Sequence, residues 1–242
     1  MKKIHFILVC VLVSFIFSEA PILLITKTRG SVKTKASMES IIFLNARINR
    51  PIYDNNVIKT KSNSFVKMKY LDGRSTISTF SNSEILVYGI VEDMNNKSID
   101  LIKGIVKVDV NKELDNKFKL KTPNLELSCN ECSFWAISDM KKGDSFYHVS
   151  GMMSIINLFD STVTQLINDT TIIFLNNIGL EKLQTTISEK EYLESLLINV
   201  DEFPDKSDQS IENAELTSNN ELVIKLKNAQ NIERKIYLTY TK

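Results

Sequence analysis

Histidine is almost missing from this chain of 242 residues: there are two, with three cysteines and a single tryptophan. Two histidines leave almost no general base or metal ligand of the usual kind. That points away from hydrolases and metalloenzymes and toward a binding or structural protein. An excess of charge of either sign is missing too, since 30 Lys+Arg face 29 Asp+Glu for a formal +1. Without a net field, nothing sequence-wide draws the chain to nucleic acid or to an anionic membrane. What the chain does have is apolar residue, 43%, which is enough to bury a core. The length fits one large domain or a domain and a half.

The apolar residue is concentrated first at the N-terminus, where Lys2 and Lys3 precede an uncharged run from Ile4 to Phe17. The run is shorter than the roughly 20 residues of a bilayer span and suits the h-region of a signal peptide. Ser18 and Ala20 occupy the small-residue positions of a cleavage site, followed by Pro21. Residues 1–20 are therefore expected to be a signal peptide, and the protein to be exported to the periplasm or bacterial cell envelope. The second reading is an uncleaved anchor that continues through Ile22-Leu23-Leu24-Ile25 and buries Glu19, which would be the protein's only membrane contact. Cys10 and His5 belong to the same stretch and read as signal residues. After cleavage the chain keeps His148, Cys129 and Cys132, with 28 basic and 28 acidic residues.

From residue 21 to 180 the pattern is strand after strand. Val66, Met68 and Tyr70 alternate with Lys67 and Lys69, and Asp72-Gly73 follows as a hairpin turn signal. Val106, Val108 and Val110 alternate with Lys107 and Asp109; Phe118 and Leu120 alternate with Lys119 and Lys121 up to Thr122-Pro123; Leu125 and Leu127 alternate with Glu126 and Ser128. Period two places one face of each strand in the core and one in water. The predicted fold class is mainly β, antiparallel or solenoid-like, over residues 21–180.

The character changes after that. Ser188-Glu189-Lys190-Glu191 reads as a capping box, with Ile187 and Tyr192 as a hydrophobic staple. Leu193, Leu196 and Leu197 give a short amphipathic helix ending near Asn199. The polar, proline-broken stretch from Asp201 to Asp208 reads as a loop, and strands are predicted at Glu221–Lys227 and Lys235–Tyr240. Residues 181–242 are thus a small α+β addition.

Several motifs occur in an order that resembles the FecR-like family. Arg50 to Thr60 resembles the short strand and turn that open such a domain. Phe65 to Leu71 with Asp72-Gly73 resembles its DG hairpin, and Ser83-Glu84-Ile85 the step after it. Leu101 to Val106, around Gly104, resembles "l-x-x-G-x-v"; Phe118 to Pro123 resembles "f-x-v-x-T-P"; Val149 to Asn157, around Gly151, resembles the closing segment. The resemblance spans roughly 26–160 and assigns structural motif positions to Thr60, Asp72, Gly73, Gly104, Thr122, Pro123, Phe134 and Gly151. It departs at Glu131-Cys132-Ser133-Phe134, where the family's Gly-Thr pair is replaced and only Phe134 is kept, and at Asn56, where Asp is common. The resemblance implies an extracytoplasmic, non-enzymatic module that binds an envelope protein or polymer, in signalling or in envelope assembly. In the regulator branch a transmembrane helix and a cytoplasmic anti-sigma segment precede the domain. With three residues before the apolar run, that segment is not expected here.

Chemistry has few candidates. Cys129-Asn130-Glu131-Cys132 is a C-x-x-C with strand-like neighbours on both sides. It can be a local structural disulfide, which needs a turn or bulge at Asn130-Glu131; free thiols in a β turn; or a redox pair. A four-ligand zinc site lacks the residues in a monomer, and no metal or cofactor is expected. His148 reads as a strand histidine sharing a face with Phe146, and no G-x-S-x-G elbow offers it a nucleophile. Trp135 reads as core rather than a sugar platform. The competing function is an envelope enzyme, either a thiol oxidoreductase through Cys129 and Cys132 or a glycan hydrolase using paired carboxylates.

Overall fold

A computed structural model of the chain describes residues 20–89, 97–111, 117–166, 170–175, 179–201, 210–216, 221–227 and 233–239. All but Ala20 of the expected signal peptide, 1–20, and all but Asp201 of the expected loop Asp201–Asp208 lie outside them. The chain divides into two compact units, 1–189 and 190–242.

The first unit is built from one sheet of 15 strands. Strands β1 (Leu23–Arg29), β4 (Pro51–Ile52), β6 (Phe65–Tyr70) and β7 (Ser75–Thr79) pair in the order β4-β1-β6-β7. Strands β2 (Val32–Lys35), β3 (Leu44–Asn45), β5 (Val57–Thr60) and β8 (Glu84–Tyr88) pair as β3-β2-β5-β8. Both ladders end on the same long strand, β9 (Ser98–Val110), with β8 along Ser98–Lys103 and β7 along Val106–Val110. The other edge of β9 is divided in the same way. Strand β10 (Phe118–Lys121) runs parallel to Ser98–Asp100, and β11 (Leu125–Asp139) runs antiparallel to Gly104–Val110. Strand β12 (Gly143–Asn157) lies along all of β11. Its late half carries β13 (Val163–Leu166), and its early half carries β14 (Thr170–Leu175), beyond which lies β15 (Gly179–Gln184).

Read through these pairings, the sheet is two half-sheets joined by strands that pass from one to the other. Residues of both, among them Ile25, Val66, Ile58, Leu101, Leu127 and Ile155, form one continuous core. The period-two segments behave as their pattern dictates: in β6 Val66, Met68 and Tyr70 are buried while Lys67 and Lys69 are exposed, and β10 alternates buried and exposed throughout. Phe65, Phe80 and Trp135 stack at 5.3 and 5.1 Å, which places the tryptophan in the interior. The β architecture is mixed, because β9–β10 is a parallel pair and the other strand pairs of this sheet are antiparallel.

Three sequence expectations are corrected. The longer anchor through Ile22–Ile25 does not form: Ile22, Leu23 and Ile25 are fully buried, and Leu23–Arg29 is β1, paired with β6. Helix α1 (Ile187–Asp201) is capped two residues earlier than Ser188. Thr186 Oγ1 accepts from the Glu189 amide at 3.3 Å while the Glu189 carboxylate accepts from the Thr186 amide at 2.8 Å. The chain is pinned just before this point, where the Thr185 and Thr171 hydroxyls lie 2.6 Å apart, so Thr186 is the first residue free to cap. Ile187 (76% exposed) and Tyr192 (52%) consequently make no staple. Finally, the second unit holds three strands, β16 (Ser210–Leu216), β17 (Glu221–Lys227) and β18 (Glu233–Thr239), in an antiparallel meander. The expected boundary at residue 180 falls inside β15, which pairs with β14 along its whole length.

Candidate functional site

The most featured corner of the first unit is where β11 changes partners. Glu126–Cys129 pairs with β10 and Cys132–Ser138 with β9, leaving Asn130 and Glu131 at the switch. Against β12 the register runs Cys129↔Met153 and then Cys132↔Gly151, so two residues of β11 oppose Met152 alone. This is a β-bulge, and it inverts the alternation. Residues three apart, which point to opposite faces of a regular strand, now share one. Cys129 and Cys132 are both buried (2% and 4% exposed) and are joined by a disulfide with Cα atoms 6.2 Å apart. A second register shift follows, Ser133↔Ser150 then Phe134↔His148, and puts the extra residue, Val149, on β12. The two bulges cancel, and the original register resumes.

Gly151 makes the close approach possible. Its φ is +83°, and a Cβ there would meet the Glu131 carbonyl oxygen and lie 2.7 Å from Cys132 Cα. Beneath it His148 Nε2 donates to the Gly151 carbonyl at 2.6 Å, and the buried Nδ1 has no partner among the described groups. The imidazole is thus a brace for the bulge.

A cleft of about 850 Å³ opens at this corner, lined by the disulfide, Asn130, Glu131, Met152 and Gln165 together with Asp109, Asn111 and Lys117. Its lining is polar and carries both signs of charge. Asp109 is held by Lys107 at 3.0 Å and by the Ser133 hydroxyl, which donates at 2.6 Å. Groups arranged in this way can hydrogen-bond a polar chain and offer Met152, 75% exposed, as an adaptable apolar contact. Among the described residues no group of His, Cys, Asp and Glu is arranged to hold a metal ion.

The motif positions are distributed along the chain's turns. Thr60 and Gly104 meet through Ser83. The Thr60 hydroxyl donates to the Phe80 carbonyl and accepts from the Ser83 amide at 2.9 Å, and Ser83 Oγ accepts from the Ile105 amide at 2.8 Å. Asp72-Gly73 turns β6 into β7, with Asp72 accepting from the Arg74 amide at 3.1 Å and paired with the buried Lys97, whose ammonium lies 5.4 Å from the Tyr70 ring centroid. Thr122, followed by Pro123, closes the β10–β11 turn through paired contacts with Leu125 at 2.8 and 3.0 Å. Phe134 is core, edge-on to Phe146. Asn56 accepts from the Tyr53 amide at 3.1 Å, as an aspartate there would. Of these positions only Cys129, Cys132, Gly151 and Phe134 gather near the cleft. Asp109, Lys117, Met152 and Gln165 carry no motif of their own. Their one sequence signal is the break in alternation at Asn130-Glu131.

Two titrations are shifted on β9 and its neighbour. Burial raises the Asp100 carboxyl above the usual range, partly opposed by the hydrogen bond from the Tyr88 hydroxyl, and burial beside Asp100 raises Tyr88 in turn.

Comparison with known proteins supplies the context for this corner. Residues 56–150 match the family model described as FecR protein, so the segment from β5 to the second bulge is similar to that family. No curated protein matches the chain. Among solved structures, a crystal structure of a "putative anti-sigma factor" from Parabacteroides distasonis is similar with a TM-score of 0.50 at 13% identity, over 57% of this chain and 64% of that one. A second structure with the same description has a TM-score of 0.49 at 12% identity, over 56% of this chain and 62% of that one. The first likeness is one of fold, and the match spans less than two thirds of those chains.

Proposed function

We propose that this chain is a non-enzymatic, extracytoplasmic FecR-like module that binds a protein or polymer of the cell envelope, in signalling or in envelope assembly. The observation that carries this reading is the family match over residues 56–150. It ends at the bulged corner, where the cleft offers hydrogen-bonding groups and mixed charge. The description of the fold neighbour with a TM-score of 0.50 as a "putative anti-sigma factor" supports a signalling context.

Crosslinking in intact cells followed by affinity recovery tests it. The wild-type chain is expected to capture a specific envelope protein or to sediment with wall polymer, and Met152→Asp to lose that capture while keeping its fold. Failure to recover any specific envelope partner counts against the reading. One observation favours a thiol-exchange role instead: the disulfide lines the cleft. A Cys129→Ser variant that retains the cellular phenotype removes that alternative.

A further inference from the structure

The segment after β2 behaves unlike the rest of the surface. Ile41, Ile42, Phe43 and Leu44 are consecutive and all exposed, at 90%, 66%, 42% and 48%, and Met38 beside them is 48% exposed. Single exposed apolar residues are ordinary, but four in a row on one loop form a contiguous patch of the kind that marks an interaction surface. Nothing in the core accounts for them, because the strand that follows, β3, pairs with β2 through its backbone.

Charge decides what the patch faces. Residues 26–50 contain six basic side chains and one acidic, Glu39, while the rest of the chain carries 24 basic and 28 acidic. The local excess is +5 in a chain whose formal charge is +1. The cations are drawn up to the apolar tip. Lys33 and Lys35 place their ammonium groups 6.0 and 5.5 Å from the Phe43 ring centroid, Lys35 donates to the Met38 carbonyl at 2.7 Å, and Arg50 donates to the Asn45 carbonyl at 3.2 Å. An apolar tip with a collar of Lys and Arg is the layout of an interfacial anchor: aliphatic and aromatic groups enter the headgroup–acyl boundary while cations meet anionic headgroups.

We infer that the loop 36–44 docks on an anionic lipid surface. This goes beyond the binding role proposed above and is independent of the cleft. Each cation at such a surface strengthens partitioning roughly fivefold, and the apolar tip makes the contact persist when salt screens the charges.

Vesicle co-sedimentation of the purified chain tests the inference. Binding to equimolar phosphatidylcholine/phosphatidylglycerol vesicles is expected, with much weaker binding to pure phosphatidylcholine. Ile41→Ser/Ile42→Ser should lower partitioning by tenfold or more, and Lys33→Glu/Lys35→Glu should abolish the preference for anionic vesicles, both with unchanged thermal unfolding. In a Phe43→Trp variant the new fluorescence should shift to the blue on adding the mixed vesicles. No binding to the mixed vesicles, or binding that Ile41→Ser/Ile42→Ser leaves intact, overturns it. So does a concentration-dependent dimer that these serines dissociate in the absence of lipid, because the patch would then belong to a second copy of the chain.

Discussion

Strand β9 changes half-sheets at Gly104 and strand β11 at Asn130-Glu131, and the two crossings are built from different chemistry. At Gly104 the turn is achieved with a positive φ of +98° and a clamp of hydroxyls. A Cβ there would lie 2.5 Å from Ser83 Cα, and the Ser83 hydroxyl bridges the amide and carbonyl of Ile105. Ile102 to Ile105 are half-buried at that crossing. At Asn130-Glu131 the same problem is solved by two opposed bulges, a glycine and a disulfide, and a cleft opens beside them. A hydroxyl clamp satisfies backbone groups locally. A covalent staple holds the strand without needing every neighbouring group to be satisfied.

Three substitutions break this comparison, from the largest expected effect to the smallest. Gly104→Ala combines a disfavoured φ with an overlap on Ser83 backbone and should cost roughly 3 kcal/mol or more of stability, read from urea unfolding. Replacing both cysteines by alanine should cost about 2 kcal/mol, because the bond closes a loop with a sequence separation of only 3. Reductant should reproduce that loss in the wild type and have no effect on the variant. If the cysteine variant lost more than Gly104→Ala, the staple and not the clamp would be the dominant joint. The smallest change is Asp100→Asn, on the stretch of β9 leading into its crossing. Burial raises the folded-state pKa of Asp100, so the folded chain holds its proton more tightly than the unfolded one. The carboxyl therefore disfavours folding at neutral pH, and this penalty disappears as pH falls through the folded pKa toward the ordinary value. Asp100→Asn should raise the unfolding free energy at neutral pH, read from urea unfolding, by about 0.5 kcal/mol or less and lose that advantage in acid.

Regular strands were legible because their alternation is unbroken, as in Val66–Tyr70 and Phe118–Lys121, and the Asp72-Gly73 turn was legible because glycine chemistry marks it. The long strands were not. In β11 the buried positions run Leu125, Leu127, Cys129 and then Cys132, Phe134, Ala136, so the parity changes at the bulge and one strand reads as two short ones. The helix start was misplaced because Thr186-x-x-Glu189 and Ser188-x-x-Glu191 carry the same local signal. Only the tertiary Thr171–Thr185 contact decides between them. The Ile41–Leu44 run looks like any other apolar stretch in one dimension, and its exposure emerges only when the short β2–β3 pairing fails to cover it.

Trp135, stacked on Phe80 inside the first unit, is the chain's sole tryptophan. The protein therefore carries a built-in optical label for one place: the aromatic stack on the half of β11 that pairs with β9. Its emission will follow the melting of that stack, whereas circular dichroism weighs all the strands together. Recording both during a single unfolding experiment sets the melting of that one stack against the loss of the strands as a whole, without any engineered probe.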